Sequence, residues 1–113
     1  MKINQRQRED IHVFELVGEL DFHNSPKLRE ELLKSIEKQT KKILVNLKKV
    51  SYIDSSGLAT FVEALQKSKK SNTRLVLAEL ETRVRSVFEI AKLDEIFLFV
   101  SSEEEGVNLL GSK

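Results

Sequence analysis

Ile43-Leu44-Val45-Asn46-Leu47-Lys48-Lys49-Val50-Ser51-Tyr52-Ile53-Asp54-Ser55-Ser56-Gly57-Leu58 decides the fold of this 113-residue chain. Residues 43–47 are a nearly unbroken apolar run of the kind that makes a buried strand. A second apolar stretch ends in an acidic, hydroxylated, glycine-bearing turn, after which Leu58, Phe61, Val62 and Leu65 recur at helical spacing. The segment reads as strand, turn and helix, with the helix ending in Lys67-Ser68-Lys69-Lys70-Ser71-Asn72. Two hydroxyls, Ser55 and Ser56, stand at the helix mouth. Backbone N–H groups there lack partners and carry partial positive charge, so an anion is favoured. Ser55 is a candidate phosphate acceptor on that ground, although Asp54 or Ser55 also suits a plain helix cap. Gly57 either permits a close backbone approach or is merely tolerated near a helix end.

Upstream, Ile11 to Val17 is β-branched and aromatic-rich, with Phe14 and Leu16 on one face and Ile11, Val13 and Val17 on the other. It reads as a central strand, with residues 3–8 as a hairpin partner and Gly18-Glu19-Leu20-Asp21 as its end. Asn24-Ser25-Pro26 then starts a helix, Ser25 suiting the N-cap and Pro26 the first helical position. Leu28, Leu32 and Ile36 give that helix one buried side. Downstream come a strand at Leu75 to Ala78, a helical stripe of Val84, Val87, Phe88 and Ala91, a strand at Ile96 to Val100, and a short helix carrying Val107 and Leu110. This alternation predicts one α/β domain over residues 1–113, with a mixed, largely parallel sheet of about four to five strands and about four helices.

A helical crossover makes strands 11–17 and 43–47 parallel and puts their C-terminal ends on one edge, where sites in such sheets gather. Asp21, His23, Asn24, Asp54, Ser55 and Ser56 are therefore expected on one surface. With Gly57 and Leu58 they form the candidate partner-binding set. Asp21 can equally cap a turn, His23 suits a solvated loop, Ser56 suits a first-turn structural role, and His12 reads as structural.

The 19 basic residues nearly balance 18 acidic ones, which gives no reason to expect nucleic acid or a membrane as partner. Absence of cysteine excludes disulfides and thiolate metal sites and fits a reducing compartment, so the cytoplasm is expected. No leader-like or membrane-spanning stretch is read, and the chain is taken as soluble and unexported. A Ser55–His23–Asp54 triad fits in residue types alone, because Gly-x-Ser-x-Gly is absent and Asp54 adjoins the nucleophile. Two histidines without metal-ligand spacing predict no metal, and the four glycines make neither a dinucleotide fingerprint nor a P-loop. No catalytic residue or cofactor is expected.

Gly18-Glu19-Leu20-Asp21, Leu44-Val45-Asn46-Leu47, Val50 to Leu58 and Val84-Arg85-Ser86-Val87-Phe88-Glu89-Ile90 together resemble the STAS domain of bacterial anti-sigma factor antagonists. The resemblance covers essentially the whole chain. It implies a non-enzymatic, phosphorylation-controlled binding module, monomeric, in a partner-switching pathway. Unphosphorylated, such a module binds an anti-sigma factor that is itself a serine kinase and supplies the Mg-ATP site; a serine phosphatase reverses the mark. Ser55 matches the phosphorylated serine, with Ser56 as a secondary candidate, and Asp21 matches the acidic residue of the partner-facing loop. Ala59, Lys69-Lys70-Ser71-Asn72 and Ala91-Lys92 depart from the pattern, where glycine-bearing residues are usual. The alternative the resemblance leaves is a STAS subunit bound to the ATPase of a lipid-transport complex, without a phosphate switch.

Overall fold

The structure is a computed structural model describing residues 1–111. The chain runs β1 (Lys2–Arg8), β2 (Ile11–Leu20), α1 (Ser25–Glu37), β3 (Lys42–Ile53), α2 (Ser55–Lys70), β4 (Arg74–Ala78), α3 (Thr82–Ile90), β5 (Leu98–Val100) and α4 (Glu103–Gly111). The described strands form one five-stranded sheet in the order β1-β2-β3-β4-β5. Only β1–β2 is antiparallel, so the expected mixed, largely parallel α/β sheet is what forms, hairpin included.

Strand alternation divides the core between the two faces. Ile43, Val45, Leu47, Leu75 and Leu77 point to the side where α1, α2 and α3 pack, and meet Leu28, Leu32, Phe61, Ala64, Val84 and Phe88. Leu44, Val76, Ile11 and Val13 point to the other side, where α4 places Val107 and Leu110. Phe88 anchors an aromatic cluster, with Phe97 and Phe99 edge-on at 5.4 and 5.3 Å.

Several elements differ from their sequence-based bounds, each for a physical reason. Strand β2 continues past Val17 to Leu20 and β3 past Leu47 to Ile53, because Val50 and Ile53 turn back into the core and Gly18, Glu19 and Leu20 pair with Val50, Tyr52 and Ile53. The ladder slips between Gly18 and Glu19, and Gly18 holds φ +117°, a conformation that L side chains rarely adopt. Helix α2 runs on through the lysines to Lys70, since cations suit the negative end of a helix; Asn72, at φ 57°, then makes the turn. Ala91 is exposed at the C-cap of α3 and not in its buried stripe; Lys92, at φ 60°, takes the place a glycine usually fills. Strand β5 begins at Leu98, leaving the half-exposed Ile96 in the preceding turn. Asn24, not Ser25, is the N-cap of α1; Ser25 opens the helix and is buried.

Candidate functional site

The long β2 and β3 end together, so their loops meet. The Asp54 amide donates to Leu20 O at 3.1 Å, which fixes the start of α2 against the end of β2. Gly57 completes the contact: a Cβ there would lie 2.7 Å from Ile53 Cγ1 and 2.8 Å from Leu20 Cγ. Close approach, not mere tolerance, is the reason for glycine at this position. Leu58, 9% exposed, belongs to the core. Of the candidate partner-binding set, Gly57 is buried and Leu58 shows only an edge of its side chain.

Asp54 is the N-cap of α2. Its Oδ1 accepts from the Ser56 amide at 2.9 Å, the Gly57 amide at 3.1 Å and the Ser56 hydroxyl at 2.6 Å. The Ser56 hydroxyl, then the Gly57, Ser56 and Phe22 amides, hold the Asp54 carboxyl below the usual carboxylate range against the opposing cost of burial. It is therefore ionised at neutral pH. The two serines beside it differ. Ser56 Oγ donates to Asp54 and accepts from Ser25 Oγ at 3.0 Å, so its hydroxyl is occupied on both counts. Ser55 is exposed on the first turn, and its side chain bonds to none of the described residues.

The Asp21 loop joins this site from the other strand. Asp21 Oδ1 accepts from the His23 and Asn24 amides at 3.0 and 3.1 Å, and its carbonyl accepts from the Asn24 and Ser25 amides. Asp21 thus caps its own turn, half-buried, and is not a side chain standing free. Asn24 Nδ2 ties the loop back to Glu19 O at 2.8 Å, while His23 is exposed and stacks on Phe22. The structure brings Asp21, Asn24, Asp54 and Ser56 into one bonded network with Ser25, and His23 and Ser55 lie on its rim. Outside this site, His12 has the expected structural role: its ring nitrogens contact Ser35 Oγ at 2.6 Å and Gln5 Oε1 at 2.9 Å.

Sequence reasoning missed Ser25, whose hydroxyl links α1 to α2, and the exposed aromatic rings of Phe22 (67%) and Tyr52 (50%) beside the network. Exposure of a large ring next to charged loop residues is an interface signature, and Phe22 between Asp21 and His23 was readable as one. Among the described residues no cluster could hold a metal ion, and no helix is long and apolar enough to cross a membrane.

The site's neighbours in other proteins are consistent. The sequence profile described as STAS domain matches residues 2–106. The chain is 34% identical over 107 residues to an anti-sigma-B factor antagonist of Bacillus subtilis, covering 95% of this chain and 97% of that one. It is 33% identical over 105 residues to the protein of that name in Listeria monocytogenes, covering 93% and 91%. In fold it is similar to an anti-sigma factor antagonist from Mycobacterium paratuberculosis, with TM-score 0.90 at 15% identity over 98% of this chain and 94% of that one. It is also similar to the anti-sigma factor antagonist SpoIIAA in its unphosphorylated form, with TM-score 0.77 at 21% identity over 98% and 100%. The chain belongs to the STAS domain family, among its anti-sigma factor antagonists.

Proposed function

We propose that this protein is an anti-sigma factor antagonist switched by phosphorylation of Ser55. The observation that carries the reading is the contrast between the two serines at the start of α2: Ser56 is tied to Asp54 and Ser25, whereas Ser55 is exposed and free to react. Unphosphorylated, the surface of Asp21, His23, Asn24 and Ser55 binds a serine-kinase anti-sigma factor, which contributes the Mg-ATP site; the chain itself is a binding module, not an enzyme. Phosphorylation adds roughly −1.5 to −2 charges. The helix N-terminus tolerates that charge, so the fold stays intact. The partner meets a dianion beside the ionised Asp54 and close to Asp21, and it releases. A serine phosphatase restores the hydroxyl. The protein acts in the cytoplasm as a monomer.

The test uses a purified serine-kinase anti-sigma factor from the chain's own genome with Mg-ATP. Ser55→Ala abolishes phosphate incorporation and Ser56→Ala retains it, as read by phosphopeptide mapping. Phosphorylated protein keeps its far-UV circular dichroism and binds the kinase at least about tenfold more weakly, roughly 1.4 kcal/mol. Full modification of Ser55→Ala overturns the assignment. Co-purification from the native cell with a permease and ATPase instead of a kinase replaces the switch with the transport reading.

A further inference from the structure

A cleft opens between the end of β3 and α3, on residues that the Ser55 chemistry does not use. Arg83, Val87 and Ile90 follow at steps of three or four and form one stripe along α3, facing Ser51, Tyr52 and Ile53 of the strand. Ile53 and Val84, both buried, make the floor. The cleft encloses about 340 Å³. Small-molecule sites usually hold roughly 300–1,000 Å³.

Its walls are apolar except at one point. Ile90 is 82% exposed and Tyr52 50%, so large apolar surfaces stand in water where an occupant would cover them. Among the described residues only Arg83 brings charge to the cleft, and it forms no hydrogen bond or salt bridge with any of them. The nearby acid of the same helix is spent elsewhere: Glu89 lies on the far side of α3 and accepts from Arg85 Nε at 3.4 Å. The Ser86 hydroxyl is also used, donating to Thr82 O at 2.9 Å. At 1.5 Å per residue, Arg83 and Ile90 stand roughly 10 Å apart along the helix. The cleft therefore suits a slender apolar molecule with a single anionic end.

We infer that this cleft binds a small aliphatic carboxylate, with the carboxylate on the Arg83 guanidinium and the chain along Val87, Ile90 and Tyr52. A guanidinium presents two parallel N–H donors to a carboxylate, and one cation balances its one negative charge, which a phosphate monoester exceeds. The chain then covers the exposed apolar walls, and that burial supplies the rest of the affinity. The site does not depend on the Ser55 reading.

Octanoate, kept below its micelle-forming concentration, is titrated into the isotope-labelled protein and followed by two-dimensional NMR. The Val87 and Ile90 methyl groups and the Tyr52 ring shift saturably. Arg83→Gln puts a good helix former at an exposed position and raises the octanoate dissociation constant about tenfold, with thermal melts checking that the fold holds. Octanamide, which keeps the chain and loses the charge, binds wild type about tenfold more weakly than octanoate and binds Arg83→Gln as well as octanoate does. Butanoate, too short to reach from Arg83 to Ile90, binds wild type at least about tenfold more weakly. Absence of saturable shifts at these residues in folded protein overturns the inference, and so does an Arg83→Gln affinity within about twofold of wild type. Equal binding of octanoate and butanoate leaves a bare surface arginine and overturns the apolar channel. Self-association in sedimentation runs that Ile90→Glu abolishes and octanoate leaves unchanged gives the cleft to a second copy of the chain instead.

Discussion

Asp54 and Glu103 are both carboxylates at the start of a helix, on opposite faces of the sheet, and they are held by opposite means. Asp54 is satisfied by neutral donors: two amides of its own helix, the Ser56 hydroxyl and, more weakly, the Phe22 amide. Glu103, at the first turn of α4, is gripped by cations. Arg6 donates to both its oxygens at 2.7 and 2.8 Å, Arg8 at 2.8 Å and Asn46 Nδ2 at 3.1 Å, while its amide donates to Glu79 Oε2 at 3.0 Å. Arg6, above all, pushes the Glu103 carboxyl down to about 2, and Arg8 reaches on to Glu104. The α4 end is thus a closed electrostatic lock between the amino-terminal hairpin and the last helix. The α2 end is negative and bonded to no cation among the described residues, so a phosphate added at Ser55 keeps its charge for the partner to feel.

The comparison breaks most visibly at Gly57, because the α2 end is held by contact more than by charge. Gly57→Val drives a branched Cβ into Ile53 Cγ1 and Leu20 Cγ, mid-chain atoms that have little room to swing away. Overpacking of this kind costs about 3 kcal/mol, measured by denaturant unfolding. A loss below about 1 kcal/mol shows that α2 is not seated on the strand ends as described. The lock at α4 answers to a different lever. Glu103→Gln removes charge-assisted bonds and costs about 2 kcal/mol at low salt, less at high salt as exposed Arg6 and half-exposed Arg8 are screened. Its pH signature follows from the depressed carboxyl. The Glu103 contribution is fully present above the usual 4.5 and is lost as pH falls toward about 2, so the Gln variant loses less stability on acidification than wild type.

The two regions also differ in how far sequence exposes them. Helix α2 was legible because Leu58, Phe61, Val62 and Leu65 obey a local period and Asp54 sits where a cap belongs. The meeting of the Asp21 and Asp54 loops was legible because one helical crossover makes two strands parallel. Strand length was not, since Lys48-Lys49 and Ser51-Tyr52 break the apolar run and only pairing with β2 keeps residues 48–53 extended. The Ser25–Ser56 bond spans 31 residues and the Arg6–Glu103 pair 97, and no local spacing encodes either. Ser25 was assigned to the cap for the propensity of its type, yet Asn24 precedes it and the tertiary bond to Ser56 outweighs that preference. The same limit hid the Glu103 lock, whose members lie at the two ends of the chain.

The smallest expected effect sharpens the contrast furthest. The three donors from α2 converge on Oδ1, and an asparagine keeps an Oδ1 in the same place, so only the weaker pull of the Phe22 amide is put at stake. Asn caps helices about as well as Asp, so Asp54→Asn changes stability at neutral pH by no more than about 0.5 kcal/mol. The Asp54 carboxyl is also depressed, chiefly by the Ser56 hydroxyl, so its contribution is present above its ordinary titration range and is lost as pH falls through the lowered one. The Asn variant therefore loses less on acidification, in the same direction as Glu103→Gln but without the neutral-pH cost. Thermal melts at neutral and acid pH for both variants separate the two modes. A neutral-pH loss above about 1 kcal/mol for Asp54→Asn means that the negative charge, not the placed acceptor, holds the start of α2. The two helix ends then work alike, and a phosphate at Ser55 disturbs a charge balance on which the fold itself depends.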